Sequence, residues 1–194
     1  MLKYWVLWVC IFGSGLTHAQ VSHNYTDHKP QYRKWLDSYI LDKIEYTPNS
    51  TIFFFRFVCT NESSGGATFY PPGGEWAWFL KGRDVQKSFQ ITAVKNVRRD
   101  NIVVKKNVVD KAFNSPPSSK TGYTIFSCEV HFARLPDDMN EADLIEGVGQ
   151  EFNRRHFNCF NVKLKTWQDD LGSEQDSKAE VQKFESKYVS PNTS

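Results

Sequence analysis

The clearest hydrophobic pattern lies at residues 51–60, TIFFFRFVCT, where Phe53, Phe55, Phe57 and Cys59 alternate with their neighbours. Alternation of β-branched and aromatic residues with period two predicts a strand. Residues 123–134 repeat it: Thr124, Phe126, Cys128, Val130 and Phe132 oppose Ile125, Ser127, Glu129, His131 and Ala133. Further strands are expected at 76–81, 88–94, 101–109 and 157–167. Turn chemistry marks 61–66 and the Pro-Pro-Gly-Gly run at 71–74, and 113–121 reads as an exposed loop. Two segments read differently. Over 30–46, Tyr32, Trp35, Leu36, Tyr39, Ile40, Lys43 and Ile44 follow helical spacing, with Pro30 placed to open the helix and Pro48 to stop it. Over 139–156, Asn140 reads as an N-cap, with Asp143 three residues on and Leu144, Ile145, Val148 and Phe152 as an apolar face, although Gly147 and Gly149 weaken it. Beyond Trp167 the chain turns polar, and 173–188 could form a short amphipathic helix or stay disordered.

Strands that follow one another without helical crossovers predict an antiparallel sheet. The expected fold is therefore β-rich α+β: a sheet or sandwich with an N-terminal helix and a second helix before the last strand. The alternative rests on Cys59 in a hydrophobic strand, Trp78 in WFLKGRDV, and Phe126-Ser127-Cys128. This set loosely resembles an immunoglobulin-like domain and implies a β-sandwich with a helical insertion, its tryptophan packed on an inter-sheet bridge. The sequence departs from that family by carrying Phe126, not tyrosine, two residues before the second cysteine.

The first nineteen residues change the setting. One lysine, an apolar stretch from Tyr4 to Phe12, and Thr17 and Ala19 at the exit have the layout of a secretory signal peptide. The apolar stretch is short for a membrane span. The expected organisation is a leader at 1–19, one secreted globular domain at 20–167 and a polar tail at 168–194. Of four cysteines, Cys10 belongs to the leader. An oxidising compartment then favours one bridge among Cys59, Cys128 and Cys159. Their strand-like surroundings favour Cys59–Cys128, with Cys128–Cys159 as the alternative; Cys159 would be left buried or available to link a dimer. Sequons at Asn24, Asn49, Asn61 and Asn192 are candidate glycosylation sites.

Charge narrows the partners. With 24 basic and 22 acidic residues the net charge is +2, which gives no electrostatic reason to invoke nucleic acid. The one basic stretch runs from Lys95 through Arg98 and Arg99 to Lys111. Chemistry is sparse: there is no G-x-S-x-G, H-E-x-x-H or glycine-rich phosphate loop. His131 beside Glu129 reads as the wet side of a sheet rather than an acid–base pair. Asp137-Asp138 reads as a turn rather than a calcium site, and no metal or cofactor is expected. Large aromatics beside Pro and Gly, namely Phe69, Tyr70 and Trp76, suit a docking surface if Trp76 and Trp78 do not simply fill the core. The functional expectation is a secreted, N-glycosylated binding protein acting on an extracellular or cell-surface protein. Its candidate surface is Phe69, Tyr70, Trp76, Arg98 and Arg99. The alternatives are a secreted carrier of a hydrophobic ligand and a hydrolase without a readable motif.

Overall fold

The computed structural model describes residues 24–60, 65–118 and 122–164, with Gln182 alone beyond them. The leader, Asn61, Asn192, and the tail with its 173–188 segment, apart from Gln182, lie outside the described residues.

The described residues form twelve strands: β1 (Tyr25–Asp27), β2 (Arg33–Lys34), β3 (Tyr39–Tyr46), β4 (Ser50–Thr60), β5 (Ala67–Phe69), β6 (Trp78–Gly82), β7 (Ser88–Arg99), β8 (Ile102–Val108), β9 (Phe113–Ser115), β10 (Tyr123–Ala133), β11 (Glu141–Glu146) and β12 (Cys159–Lys163). All pairings are antiparallel. Ten strands form one sheet in the order β1-β3-β4-β10-β7-β6-β11-β12-β2, with β8 paired to β7; β5 and β9 form a separate ribbon. The large sheet curls into a half-barrel. Rings from strands far apart in its order therefore meet inside. Phe55 of β4 stacks on Trp78 of β6 at 6.1 Å between centroids. Tyr39 of β3 stacks at 4.5 Å on Phe157, which lies just before β12.

The centre of the sheet follows directly from period two. β4 and β10 pair without interruption from Ser50↔Ala133 to Thr60↔Tyr123. Phe53, Phe55, Phe126, Val130 and Phe132 all point into the core and are 2% exposed or less. At the β7–β8 hairpin, Arg99 pairs with Ile102 across Asp100 and Asn101. Both of these have positive φ, 49° and 66°. Two such residues in succession match the right-handed twist of the strands, and Asp and Asn tolerate that conformation best among non-glycine residues.

Both expected helices are corrected to extended chain, which makes the fold nearly all-β rather than α+β. Between 30 and 46 the structure has β2 and β3. The register of β3 slips between Leu41 and Lys43, leaving Asp42 as an extra residue. Such a bulge reverses the inward–outward parity. Buried Ile40, Leu41 and Ile44 then stand three and four apart, which imitates helical spacing. Between 139 and 156 lie β11 and an irregular loop. Leu144, Ile145 and Glu146 are consecutively buried, whereas Val148 and Phe152 of the expected apolar face are 75% and 82% exposed. The immunoglobulin-like alternative falls with the same observation that defines the sheet. Cys59 and Cys128 lie on neighbouring strands of one sheet, and Trp78 packs on Phe55 and Phe157 rather than on an inter-sheet bridge.

Candidate functional site

A concavity lies inside the curl, where β11 gives way to the irregular loop 147–158. Gly147 and Gly149 make that departure with φ of 81° and 77°, a region that disfavours side chains. At Gly147 there is a second constraint, since a Cβ would lie 2.7 Å from Cε3 of Trp76. The loop has no ladder of its own. Besides short turn bonds such as those of the Asn153 N–H to the Gln150 carbonyl and the His156 N–H to the Asn153 carbonyl, side chains satisfy its backbone: Trp35 Nε1 donates to the Asn153 carbonyl, Tyr39 Oη to that of Arg154, and Trp78 Nε1 to that of Phe157, each at 3.1 Å. Fully buried Asn158 completes the set. Its Nδ2 donates to the carbonyls of Gln150 (2.9 Å) and Glu151 (3.2 Å), and its Oδ1 accepts the Glu146 N–H at 2.9 Å.

Beneath this loop is a cavity of about 750 Å³. Tyr39, Phe57, Phe69, Tyr70, Trp78 and Phe157 form the aromatic part of its wall, and Arg154 and Arg155 are among the polar residues that also line it. Glu146 is the acidic side chain on its wall and is only 6% exposed. One carboxylate oxygen, Oε2, accepts the Phe157 N–H at 2.7 Å. His156 Nδ1 stands 3.6 Å from the same oxygen and has no hydrogen-bond partner among the described residues. Burial raises the Glu146 carboxyl from 4.5 to about 8, against the lowering effect of the Phe157 N–H. Burial also lowers His156, so the imidazole is favoured over the imidazolium. Burial pushes the Tyr39 and Tyr70 hydroxyls up, and the Glu146 charge adds to both shifts. The arrangement is a pocket of mixed aromatic and polar walls with one buried carboxyl, neutral tyrosine and imidazole groups among its lining, and the exposed Arg154 and Arg155 on its loop side.

Sequence-expected residues fall in three places. Phe69 and Tyr70 line the cavity, and Phe69 is 1% exposed, so it is a wall of the pocket and not a surface anchor. Trp76 is half-buried with its ring 5.3 Å from that of His156, at the back of the loop. Arg98 and Arg99 lie elsewhere, on the β7–β8 hairpin, where Arg98 Nη1 donates to the Asn101 carbonyl and Arg99 Nη1 to that of Pro116. The expected docking surface is therefore divided between a pocket wall and a remote hairpin.

The cysteines do not form the expected pair. Cys59 is opposite Thr124 and Cys128 opposite Phe55, four register positions apart. At strand rise that is about 13 Å, beyond the roughly 7 Å Cα separation a disulfide spans. Cys128 and Cys159 are free thiols, and Cys159 is fully buried, so it presents no sulfur to a second chain. Burial raises both thiols. Asn24 and Asn49 are exposed. Glu129 and His131 hydrogen-bond to each other at 3.2 Å, and Asn96 Nδ2 donates to the other Glu129 oxygen.

Glu146 lies inside the segment 139–156 expected as a helix, and no sequence motif singles it out. The readable signal was its position after Leu144 and Ile145 and directly before Gly147, a carboxylate closing an apolar run at a turn. No protein-family model, curated protein or solved structure matches this chain.

Proposed function

We propose that this protein binds a compact, largely apolar small molecule in the cavity beneath loop 147–158, which makes it a carrier or scavenger rather than a protein that acts only through its surface. The observation that carries this reading is a cavity of about 750 Å³ with six aromatic side chains on its walls and the buried Glu146 carboxyl, beside His156, among its polar groups. Ligand sites are concave, mainly apolar and furnished with few polar groups, at volumes of roughly 300–1,000 Å³. The setting we propose is extracellular; the leader-like pattern of residues 1–19 and the exposed sequon residues Asn24 and Asn49 support it.

Trp78 and Trp76 stand at the cavity and behind its loop, so intrinsic fluorescence reports on the site. Titration with N-phenyl-1-naphthylamine, a neutral apolar aromatic probe, should quench tryptophan emission and saturate at one probe per chain. Phe157→Ala and Phe57→Ala should weaken that binding while the far-ultraviolet β spectrum is kept. Unsaturable binding, or binding indifferent to both changes, would overturn the reading.

A second reading keeps a protein partner and moves it to the β7–β8 hairpin. There Ile102 and Val103 are 69% and 40% exposed on a strand whose other edge is unpaired, beside Arg98, Lys105 and Lys106. Exposed apolar edge strands are templates for association.

A further inference from the structure

Resting on the cavity reading above, we infer that the ligand is an organic cation, a primary or secondary amine on an apolar body, with its ammonium group held by Glu146 inside the aromatic wall.

The argument begins with the carboxylate's unused capacity. An ionised carboxylate accepts at two oxygens. Oε2 of Glu146 takes the Phe157 N–H, while no described residue donates to Oε1. That oxygen is also not among the fully enclosed unpartnered atoms. It therefore faces the cavity that Glu146 lines. A side chain 6% exposed with one oxygen open to this cavity is costly as an anion unless a positive group arrives. The nearest protein candidate does not supply one: His156 is held neutral by burial and meets Oε2, not Oε1. Arg154 and Arg155 line the same cavity but are exposed, and neither forms an ion pair with Glu146.

The walls add a second preference of the same sign. Tyr39, Phe57, Trp78 and Phe157 line the same cavity as Glu146, and a cation beside aromatic rings is attracted by the ring quadrupole. The Tyr39 and Tyr70 hydroxyls are pushed up by burial and by the Glu146 charge, so both remain neutral. A carboxylate ligand gains no counter-charge from Glu146, whose buried carboxyl is raised to about 8. A neutral ligand would leave Oε1 without a strong donor. An ammonium group offers several N–H donors to Oε1 and its charge to the rings, which satisfies both at once.

The test uses three molecules of one shape: 4-phenylbutylamine, 4-phenylbutanol and 4-phenylbutanoate, titrated calorimetrically into the full-length protein. The amine should bind at least about tenfold more tightly than the alcohol, and the carboxylate most weakly. Glu146→Gln keeps an acceptor for the Phe157 N–H; it should abolish the amine's advantage over the alcohol, while an unchanged far-ultraviolet β spectrum shows that the variant is folded. Equal binding of all three, or preference for the carboxylate through Arg154 and Arg155, overturns the cation assignment and leaves the cavity reading standing. Binding of none overturns both.

Discussion

The β4–β10 pair and loop 147–158 are opposite solutions to the same problem of satisfying a buried backbone. β4 and β10 satisfy theirs through an unbroken run of register pairs, and their side chains are left to pack. Beyond its short turn bonds, the loop is satisfied by side chains: Trp35, Tyr39, Trp78 and Asn158 each donate to one or two of its carbonyls. The first arrangement depends on a pattern repeated along two strands, the second on a few irreplaceable donors. The strand pair should therefore control global stability, and the loop should control the cavity and its ligand.

The largest effect should come from the strand pair. Phe53 is fully buried and packs on Phe55 and Phe132, so Phe53→Ala should cost about 3–5 kcal/mol of unfolding free energy, read from the urea midpoint. Next comes the loop's polar anchor. Asn158→Ala strands the Glu146 N–H and two loop carbonyls, at about 2–3 kcal/mol. Its distinguishing feature is a loss of probe binding greater than Phe53→Ala causes under conditions where both are folded. If Asn158→Ala unfolds the protein as fully as Phe53→Ala, the division between the two regions is wrong.

The Glu146 prediction concerns pH. Its carboxyl stands near 8 in the folded protein against an ordinary 4.5. The folded state thus holds this proton more tightly than the unfolded state. The resulting stabilisation is fully present below about pH 4.5 and is lost as pH rises through about 8. Glu146→Gln, which has no proton to lose, should flatten that part of the stability profile measured in urea between pH 4.5 and 8.5. The smallest effect belongs to the hairpin. Charge reversal at exposed Arg98, or at Arg99, should change stability by less than about 0.5 kcal/mol and leave probe binding intact.

The same contrast explains which parts were legible in the chain. Strands β4 and β10 alternate without interruption, so period two identified them and their inward phenylalanines. β3 contains one extra residue at Asp42, and that bulge converts alternation into apparent three- and four-residue spacing. β11 ends in three consecutive buried residues, so it offers no alternation to read. The site was obscured for a related reason. Glu146 becomes a buried carboxyl only because Gly147 turns the chain and Asn158, twelve residues on, receives its N–H. Neither fact is visible in a local window. Phe69 and Tyr70 were recognised as aromatics that matter, but which way they face is set by the β5–β9 ribbon, a pairing of residues more than forty positions apart.

If ligand enters beneath loop 147–158 and meets Glu146, heteronuclear NMR of backbone amides and indole N–H groups will register it as 4-phenylbutylamine is added to the protein. Saturable shifts are expected at Trp78 Nε1–H and at the Glu146, Phe157 and Asn158 amides, with residues 102–108 of β8 unmoved. Shifts confined to the β7–β8 hairpin, with residues 146–158 unchanged at saturation, would contradict it.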